Sequence, residues 1–403
     1  MVGGRVAVVG GSIGGCAGAV AAARSDADEV VVFERTTGRL QDRGVGLALQ
    51  NDRYVELEAA GYLDADIPWI QLTRRSWAVR EGSSPGGREI GVQMLPFRSY
   101  NWGSLWEELR RRVPERVDYR TGARVAEVKQ EADGAVVRMA DGTEERFDLV
   151  IGADGYRSVV RAAMYPQAIA EYGGFVAWRG TLPAERLPGP SEVFREQDAA
   201  TVGFRGGHML TYRIPGPGGV GTTVNWVFYA TPPDTAGARF ADPRTVQPQA
   251  MADDLRSCHQ ELVADHLPPF WQEVVHRTRP QDIFVQPMYD MVAPGYALGR
   301  LVLLGDAAAI ARPNTGSGAI KALQDAAALE NALRAGDTWT SALETYGAER
   351  VSVGQATVDL GRRLGRAQVT HTPDWATMDQ QALEQWWAEL AGVKGFGGYE
   401  LRR

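Results

Sequence analysis

The chain has 403 residues, 44% hydrophobic and 23% charged, with a formal net charge of −7; that length supports a large core in two domains, or in one domain with an inserted layer. The acidic balance argues against a nucleic-acid-binding surface, and no apolar run reaches the roughly 18 residues that would suggest a membrane span. Two cysteines, Cys16 and Cys258, exclude a disulfide framework and favour a reducing, cytoplasmic setting, while five histidines without metal-ligand spacing make a metal site unexpected.

The chain opens on an apolar run, Val6 to Val9, that reads as a buried strand. Gly10-Gly11-Ser12-Ile13-Gly14-Gly15 follows, then an alanine-rich stretch of strong helix propensity. A second apolar run, Val30 to Phe33, ends at Glu34, about 20 residues past the turn, the spacing of a dinucleotide-binding βαβ unit. Gly10 permits the sharp turn, and Ser12 is small enough to admit a pyrophosphate near the backbone. Gly15 allows the helix to pack closely, and the helix start offers N–H groups and partial positive charge to phosphates. Glu34 is placed to accept hydrogen bonds from a ribose. The hydrophobic stretch is broken by glycine, so it does not read as a signal peptide. Arg43, in the loop Arg43-Gly44-Val45-Gly46, reads either as a solvated charge or as a phosphate or ring contact.

Residues 51 to 61 read as a helix anchored by Tyr54 and Leu57, with Leu63 just beyond. Ser83 to Gly87 reads as a hairpin turn within residues 69 to 95. Leu105, Trp106, Leu109 and Val113 recur at helical spacing, with Ser99 as a cap. Residues 117 to 150 read as one meander with turns at Asp133-Gly134 and Asp141-Gly142. Its last strand runs into Gly152-Ala153-Asp154-Gly155, with Ser158 capping a helix that carries Arg161. Polar groups at the carboxyl end of a strand mark the ligand edge of an open α/β sheet. Residues 172 to 230 are rich in aromatic and β-branched residues and read as at least four strands; residues 251 to 275 read as helical. Leu301 to Leu304 is a buried strand that delivers Gly305-Asp306. Arg312-Pro313-Asn314-Thr315-Gly316-Ser317-Gly318 then leads to an alanine-rich helix whose start favours negative charge. From Trp339 the chain reads as mostly helical, with Trp386-Trp387 packing it onto the body.

Taken in order, the glycine turn with Glu34, Gly152-Ala-Asp-Gly155 and Gly305-Asp306 with Pro313 and Gly316/Gly318 resemble the single-component FAD-dependent aromatic hydroxylases, the group of para-hydroxybenzoate hydroxylase. Segments Tyr172 to Gly180, Gly207 to Tyr212, Asn225 to Tyr229 and Arg312 to Thr315 are similar to the 2,6-dihydroxypyridine 3-hydroxylase branch. In this sequence Ala309 stands where the family often has histidine, and Ile320-Lys321 where asparagine often follows the second loop glycine.

The resemblance implies an α/β fold: a Rossmann-like FAD-binding domain (residues 1–70, 97–165 and 280–340), an inserted β-sheet substrate-binding domain (71–96 and 166–279) and a helical C-terminal segment (341–403). Gly10, Ser12, Ile13, Gly14, Gly15, Glu34 and Arg35 would hold the ADP half of FAD, with Arg43 also contacting the cofactor. Asp154 and Gly155 would serve both FAD and a transient NADH or NADPH. Gly305 and Asp306 would meet the ribityl chain, and Pro313, Gly316, Ser317 and Gly318 the isoalloxazine ring. The implied activity is hydroxylation of a small aromatic or heteroaromatic substrate with O2 through a flavin C4a-hydroperoxide. His208 and Tyr212, on one face of a strand, are the candidates for substrate contact and catalysis, His208 as a base titrating near neutral pH. A Baeyer–Villiger or epoxidising monooxygenase and a flavin-binding sensor are the alternatives. Neither a nucleic-acid nor a membrane partner is expected, and monomer and homodimer stay open.

Overall fold

The computed structural model describes residues 3–38, 45–189, 191–243 and 253–391. Among the described residues the strands form three sheets. The smaller of the two main sheets takes the apolar runs Val6–Val9, Val30–Phe33, Leu149–Ile151 and Leu301–Leu303. In order across it lie Ala297–Leu298, Leu301–Leu303, Leu149–Gly152, Arg5–Val9, Glu29–Glu34 and Asp118–Thr121. Pairing is parallel from Leu301–Leu303 to Asp118–Thr121, with Val6 opposite both Val30 and Leu149. The central strands are covered on both faces, which explains their hydrophobic runs, whereas the edge strand Asp118–Thr121 is polar and partly exposed. Helix Ile13–Arg24 lies against this sheet and against helix Gly318–Ala335. Its alanines and glycines bring the backbones close: a Cβ on Gly14 would touch that of Ala322 at 3.5 Å.

The expected meander is corrected. Only Val125–Gln130, Ala135–Met139 and Glu144–Phe147 form a separate antiparallel sheet, turning at the two Asp-Gly pairs. Asp118–Thr121 and Leu149–Gly152, on either side, join the parallel sheet instead. Asp148 marks the switch: its carboxylate accepts from the Arg5 N–H at 2.7 Å and starts the next strand beside Arg5–Val9.

The large sheet has nine strands, ordered Ala309–Ile310, Ile283–Val292, Glu171–Pro183, Thr222–Ala230, Gly207–Pro215, Asp198–Phe204, Trp69–Val79, Arg88–Asn101 and Gly46–Gln50. Alternation divides its faces. Trp178, Trp226 and Phe228 face outward and pack with Leu255, Val263 and Trp271 of helices Asp253–His266 and Pro269–His276. Trp226 is therefore a core residue, its indole N–H donating to Thr278 Oγ1 at 2.9 Å. Arg75, Arg179, His208, Leu210, Tyr212 and Tyr229 face inward. Ser99 lies within a strand, donating to the Arg213 carbonyl at 2.6 Å; the cap of helix Trp102–Arg112 is Asn101, which accepts from Gly103 N at 2.9 Å. No helix among the described residues is long and apolar enough to cross a membrane.

The long helix Trp339–Gly365 and the turn Arg366–Thr370 carry the chain back to the inner face of this sheet. Helix Gln380–Ala391 then docks beside it. Trp77, fully buried, stacks on Trp375 at 5.3 Å and meets Trp386 edge-on at 5.6 Å. Replacing Trp77 with Ala is expected to lower the unfolding free energy by about 3–5 kcal/mol. Urea denaturation followed by circular dichroism checks this; an unchanged midpoint would show that the C-terminal segment does not depend on the tryptophan cluster.

Candidate active site

Three strand ends of the parallel sheet converge on one edge. At the first, Gly10 adopts φ +100°, and a Cβ there would lie 2.4 Å from the Ala153 carbonyl oxygen. A Cβ on Gly15 would lie 1.8 Å from the Gly10 carbonyl oxygen, so the helix can start here only on glycine. Gly11 is gripped from several sides. Its carbonyl accepts from Tyr119 Oη at 2.6 Å and Trp106 Nε1 at 2.9 Å, and its N–H donates to Glu34 Oε2 at 2.7 Å. The other Glu34 oxygen accepts from Thr36 N at 2.8 Å. Glu34 thus braces the turn, and its second lone pairs remain for a hydroxyl donor. Ser12 occupies the N-cap position without a side-chain cap bond. Gly10, Ser12, Ile13, Gly14, Glu34 and Arg35 border one cavity, whereas Gly15 stands behind it. Arg43 lies outside the described residues.

At the second strand end, Asp154 Oδ2 accepts from Val159 N at 2.7 Å, while Oδ1 is buried without a partner. Burial raises this carboxyl above its ordinary range, against the Ser158 hydroxyl and the Val159 N–H. Ser158 caps its short helix as expected, accepting from Arg161 N at 2.9 Å. Arg161 reaches across to the third strand end, donating to the Ala307 carbonyl at 3.0 Å.

There Gly305 is held through a buried charge cluster. Asp325 Oδ2 accepts from Gly305 N at 2.9 Å and from Lys321 Nζ at 3.1 Å. Lys321 also donates to the Gly305 carbonyl at 2.7 Å, and Arg350 Nε donates to Asp325 Oδ1 at 2.8 Å. Burial pushes the Asp325 carboxyl up, but Lys321 and Arg350 outweigh it and hold it below the usual range. The neighbouring Asp306 opens to the cavity; burial raises its carboxyl, with Lys321 opposing. Gly155, Gly305, Pro313, Gly316, Ser317 and Gly318 border the same cavity, with the start of helix Gly318–Ala335 turned toward it.

The far wall is the inner face of the large sheet. His208 is 1% exposed, stacks on Tyr229 at 4.8 Å and shares a 3.2 Å hydrogen bond between Nδ1 and the Gln368 carbonyl. A carbonyl only accepts, so Nδ1 carries the proton and Nε2 the lone pair. Burial, then Arg75, push the imidazole down to about 3, which corrects the expectation of a base titrating near neutrality. Tyr212 borders the cavity too, its hydroxyl raised well out of reach of neutral pH by burial.

The cavity encloses about 1790 Å³, above the roughly 300–1,000 Å³ of a site for one small ligand. A cavity of about 330 Å³ on the opposite face, near Ser84 and Trp271, lies away from these groups. The donor set suits a dinucleotide. Asp154 and Asp306 offer carboxylate oxygens to hydroxyls, and two helix starts offer N–H groups to anionic oxygen.

A family model described as FAD binding domain matches residues 105–361, more than half of the chain. The chain belongs to this FAD-binding family. It is 28% identical over 383 residues to 2,6-dihydroxypyridine 3-monooxygenase of Paenarthrobacter nicotinovorans, covering 89% of this chain and 90% of that protein. It is 27% identical over 365 residues to salicylate hydroxylase of Pseudomonas putida, covering 84% and 78%. The structure of 2,6-dihydroxypyridine-3-hydroxylase from Arthrobacter nicotinovorans superposes with a TM-score of 0.81 at 22% identity, over 99% of this chain and 98% of that one. The protein is an FAD-dependent monooxygenase of the aromatic-hydroxylase group.

Several residues of the site lie outside the sequence motifs. Arg75 follows Arg74 within the hairpin stretch 69 to 95, where no motif marks it. Its one signal was the period of two that puts it on the face of Trp77. Gln368 had no local signal, because only the return of the C-terminal helix brings it to His208.

Gly15→Ala is expected to yield protein with little or no bound FAD, read from the ratio of flavin to protein absorbance; full occupancy would show that the turn tolerates the clash. Asp325→Asn, which leaves two buried cations short of charge, is expected to lose about 3–5 kcal/mol of stability at neutral pH. Because the native Asp325 carboxyl is held low, its contribution is complete above the unfolded value near 3.9 and fades as pH falls below about 4. Melts of both proteins should therefore converge in acid.

Proposed function

We propose that the protein hydroxylates an electron-rich aromatic or heteroaromatic ring bearing at least one ring hydroxyl. The observation that carries this reading is the continuity of a single cavity, from the glycine turn and the Asp154 and Asp306 carboxylates to the His208 and Tyr212 face of the large sheet. Bound FAD, reduced by transient NADH or NADPH, supplies the oxygen-transfer chemistry. Glu34 and Ser12 are assigned to the ADP half, Asp306 to the hydroxyls of the linking chain, and Asp154 with Gly155 to both nucleotides. The start of helix Gly318–Ala335 favours negative charge placed before it.

On the opposite wall, neutral His208 accepts a hydrogen bond from the ring hydroxyl at Nε2, orienting the ring and drawing electron density toward it. Leu72, Leu210 and Phe97 line the same space and exclude water. The two cysteines are unpaired, consistent with a reducing, cytoplasmic setting.

Purified yellow protein should consume NADH or NADPH and O2 with a dihydroxypyridine, hydroxybenzoate or hydroxyindole and release a product heavier by one oxygen. Flavin that is reduced but never yields such a product from any of these classes would overturn the reading. His208→Gln should keep FAD yet lower product formation about tenfold or more, in line with one lost hydrogen bond in a dry site. Since burial holds the imidazole neutral from about pH 4 upward, wild type and variant should show the same pH profile between about pH 5 and 9. A limb near 6.5 that vanishes in the variant would show that His208 titrates after all.

A further inference from the structure

The turn after helix Trp339–Gly365 is wound wider than an α-helix: His371 N donates to the Arg366 carbonyl at 2.7 Å, the pattern of a π-helix. Single π-type turns recur at functional sites. Two glycines let the preceding helix lie directly on the loop that opens with Arg312. A Cβ on Gly361 would stand 3.1 Å from Arg312 N, and one on Gly365 2.8 Å from Arg312 Nη1. This close approach sets Gln368 between two parts of the cavity wall. Its backbone carbonyl accepts from His208 Nδ1, and its side-chain Oε1 accepts from Asn314 Nδ2 at 3.2 Å. Asn314 belongs to the turn Pro313–Thr315, and both Asn314 and Gln368 border the cavity.

That one bond leaves each amide with an unused atom. Asn314 Oδ1 and Gln368 Nε2 are buried and have no partner among the described residues. A buried amide group without a partner is unfavourable. The two unused atoms differ in kind: an amide oxygen accepts, and an amide nitrogen donates. Turning one amide over would set oxygen against oxygen, or nitrogen against nitrogen, and lose the bond. Turning both exchanges the roles and still leaves one acceptor and one donor. The pair therefore offers the same complement whichever side chain carries which half. The terminal torsions of Asn and Gln are broad, so both amides can adjust to a ring that enters the chamber.

We propose that Asn314 and Gln368 select a ring that carries an N–H beside a C=O, a cyclic amide such as a 2-pyridone or a 2-quinolone. The ring N–H donates to the unused amide oxygen, and the ring carbonyl accepts from the unused amide nitrogen. A phenol places donor and acceptor on a single oxygen, so it does not complete both amides at once. His208 Nε2 remains for a separate ring hydroxyl, and the amide pair adds to that contact. This rests on the hydroxylase reading above and narrows its substrate class.

The test uses FAD-loaded protein at pH 7 and rings that are uncharged there, with Kd read from perturbation of the flavin absorption spectrum. 3-Hydroxy-2-pyridone is set against catechol, and 2-quinolone against 2-naphthol; the second ring of each pair has C–H for N–H and a hydroxyl for the carbonyl. Wild-type protein should bind each lactam about tenfold or more tightly than its partner, the range expected when buried groups are otherwise left unpaired. N-methyl-2-quinolone, which keeps the carbonyl and blocks the donor, should lose most of that advantage. Asn314→Leu and Gln368→Met remove the polar atoms at similar volume, and each should bring the lactam preference within about threefold. A pair that only clasped the loop, or that met the imide edge of the flavin, would change stability, flavin content or flavin potential and leave the ratio between matched rings intact, which overturns the proposal. Wild-type protein that binds catechol and 2-naphthol as tightly as the lactams overturns it too, even if neither variant folds. If phenols are hydroxylated as well as lactams, the enzyme reading stands and this proposal falls; if neither class stimulates NAD(P)H consumption or gains an oxygen, the enzyme reading falls with it.

Discussion

The carbonyl oxygen of Gly10 occupies the place where a side chain at position 15 would have to begin. Most of the cofactor end follows from that contact. It lets helix Ile13–Arg24 start directly above the end of strand Arg5–Val9, so its free N–H groups meet the cavity. It brings the same turn against Ala153, and so against the neighbouring strand that carries Asp154. Arg161 ties that strand end to the next, at Ala307. Three loops from distant parts of the chain thereby share one edge, and their polar groups converge without any being close in sequence.

Buried charge is treated in two ways. Asp325 is surrounded by Lys321, Arg350 and the Gly305 N–H, and its carboxyl is held low. Asp290 is likewise gripped by Arg312 and Arg362. Each of these carboxylates is paired with two cations, and they hold loops in place. Asp154 and Asp306 have raised carboxyls and unspent acceptor capacity, and Arg75 lacks an acidic partner among the described residues. Asp325 and Asp290 shape the scaffold; Asp154 and Asp306 border the cavity. The division is physically reasonable, because an unpaired buried group is unfavourable and persists where a ligand can complete it.

Legibility in the sequence followed the range of the interaction. The βαβ unit, the Asp-Gly hairpins and the alanine-rich helices depend on propensity and spacing within about 30 residues, and were readable from them. The meander was misread at both ends because local alternation cannot say which sheet a strand joins. Asp118–Thr121 and Leu149–Gly152 were claimed by the parallel sheet. Trp226 declared its hydrophobicity but not its side of the sheet, which the helix Asp253–His266 settles by covering it.

The residues by themselves determined the nucleotide turn, the acids at the strand ends and the family resemblance, since each rests on backbone geometry that particular residue types permit. Tertiary structure alone decided the charge state and surroundings of the far wall. His208 is neutral because it is buried beside Arg75, which outweighs the opposing hydrogen bond to the Gln368 carbonyl, some 160 residues away. Among the described residues Arg75 has no carboxylate partner, and the nearby Asp198 pairs with Arg74 on the other face. Dielectric environment and counter-charge are properties of the packed chain, and no spacing of residues along the sequence specifies them.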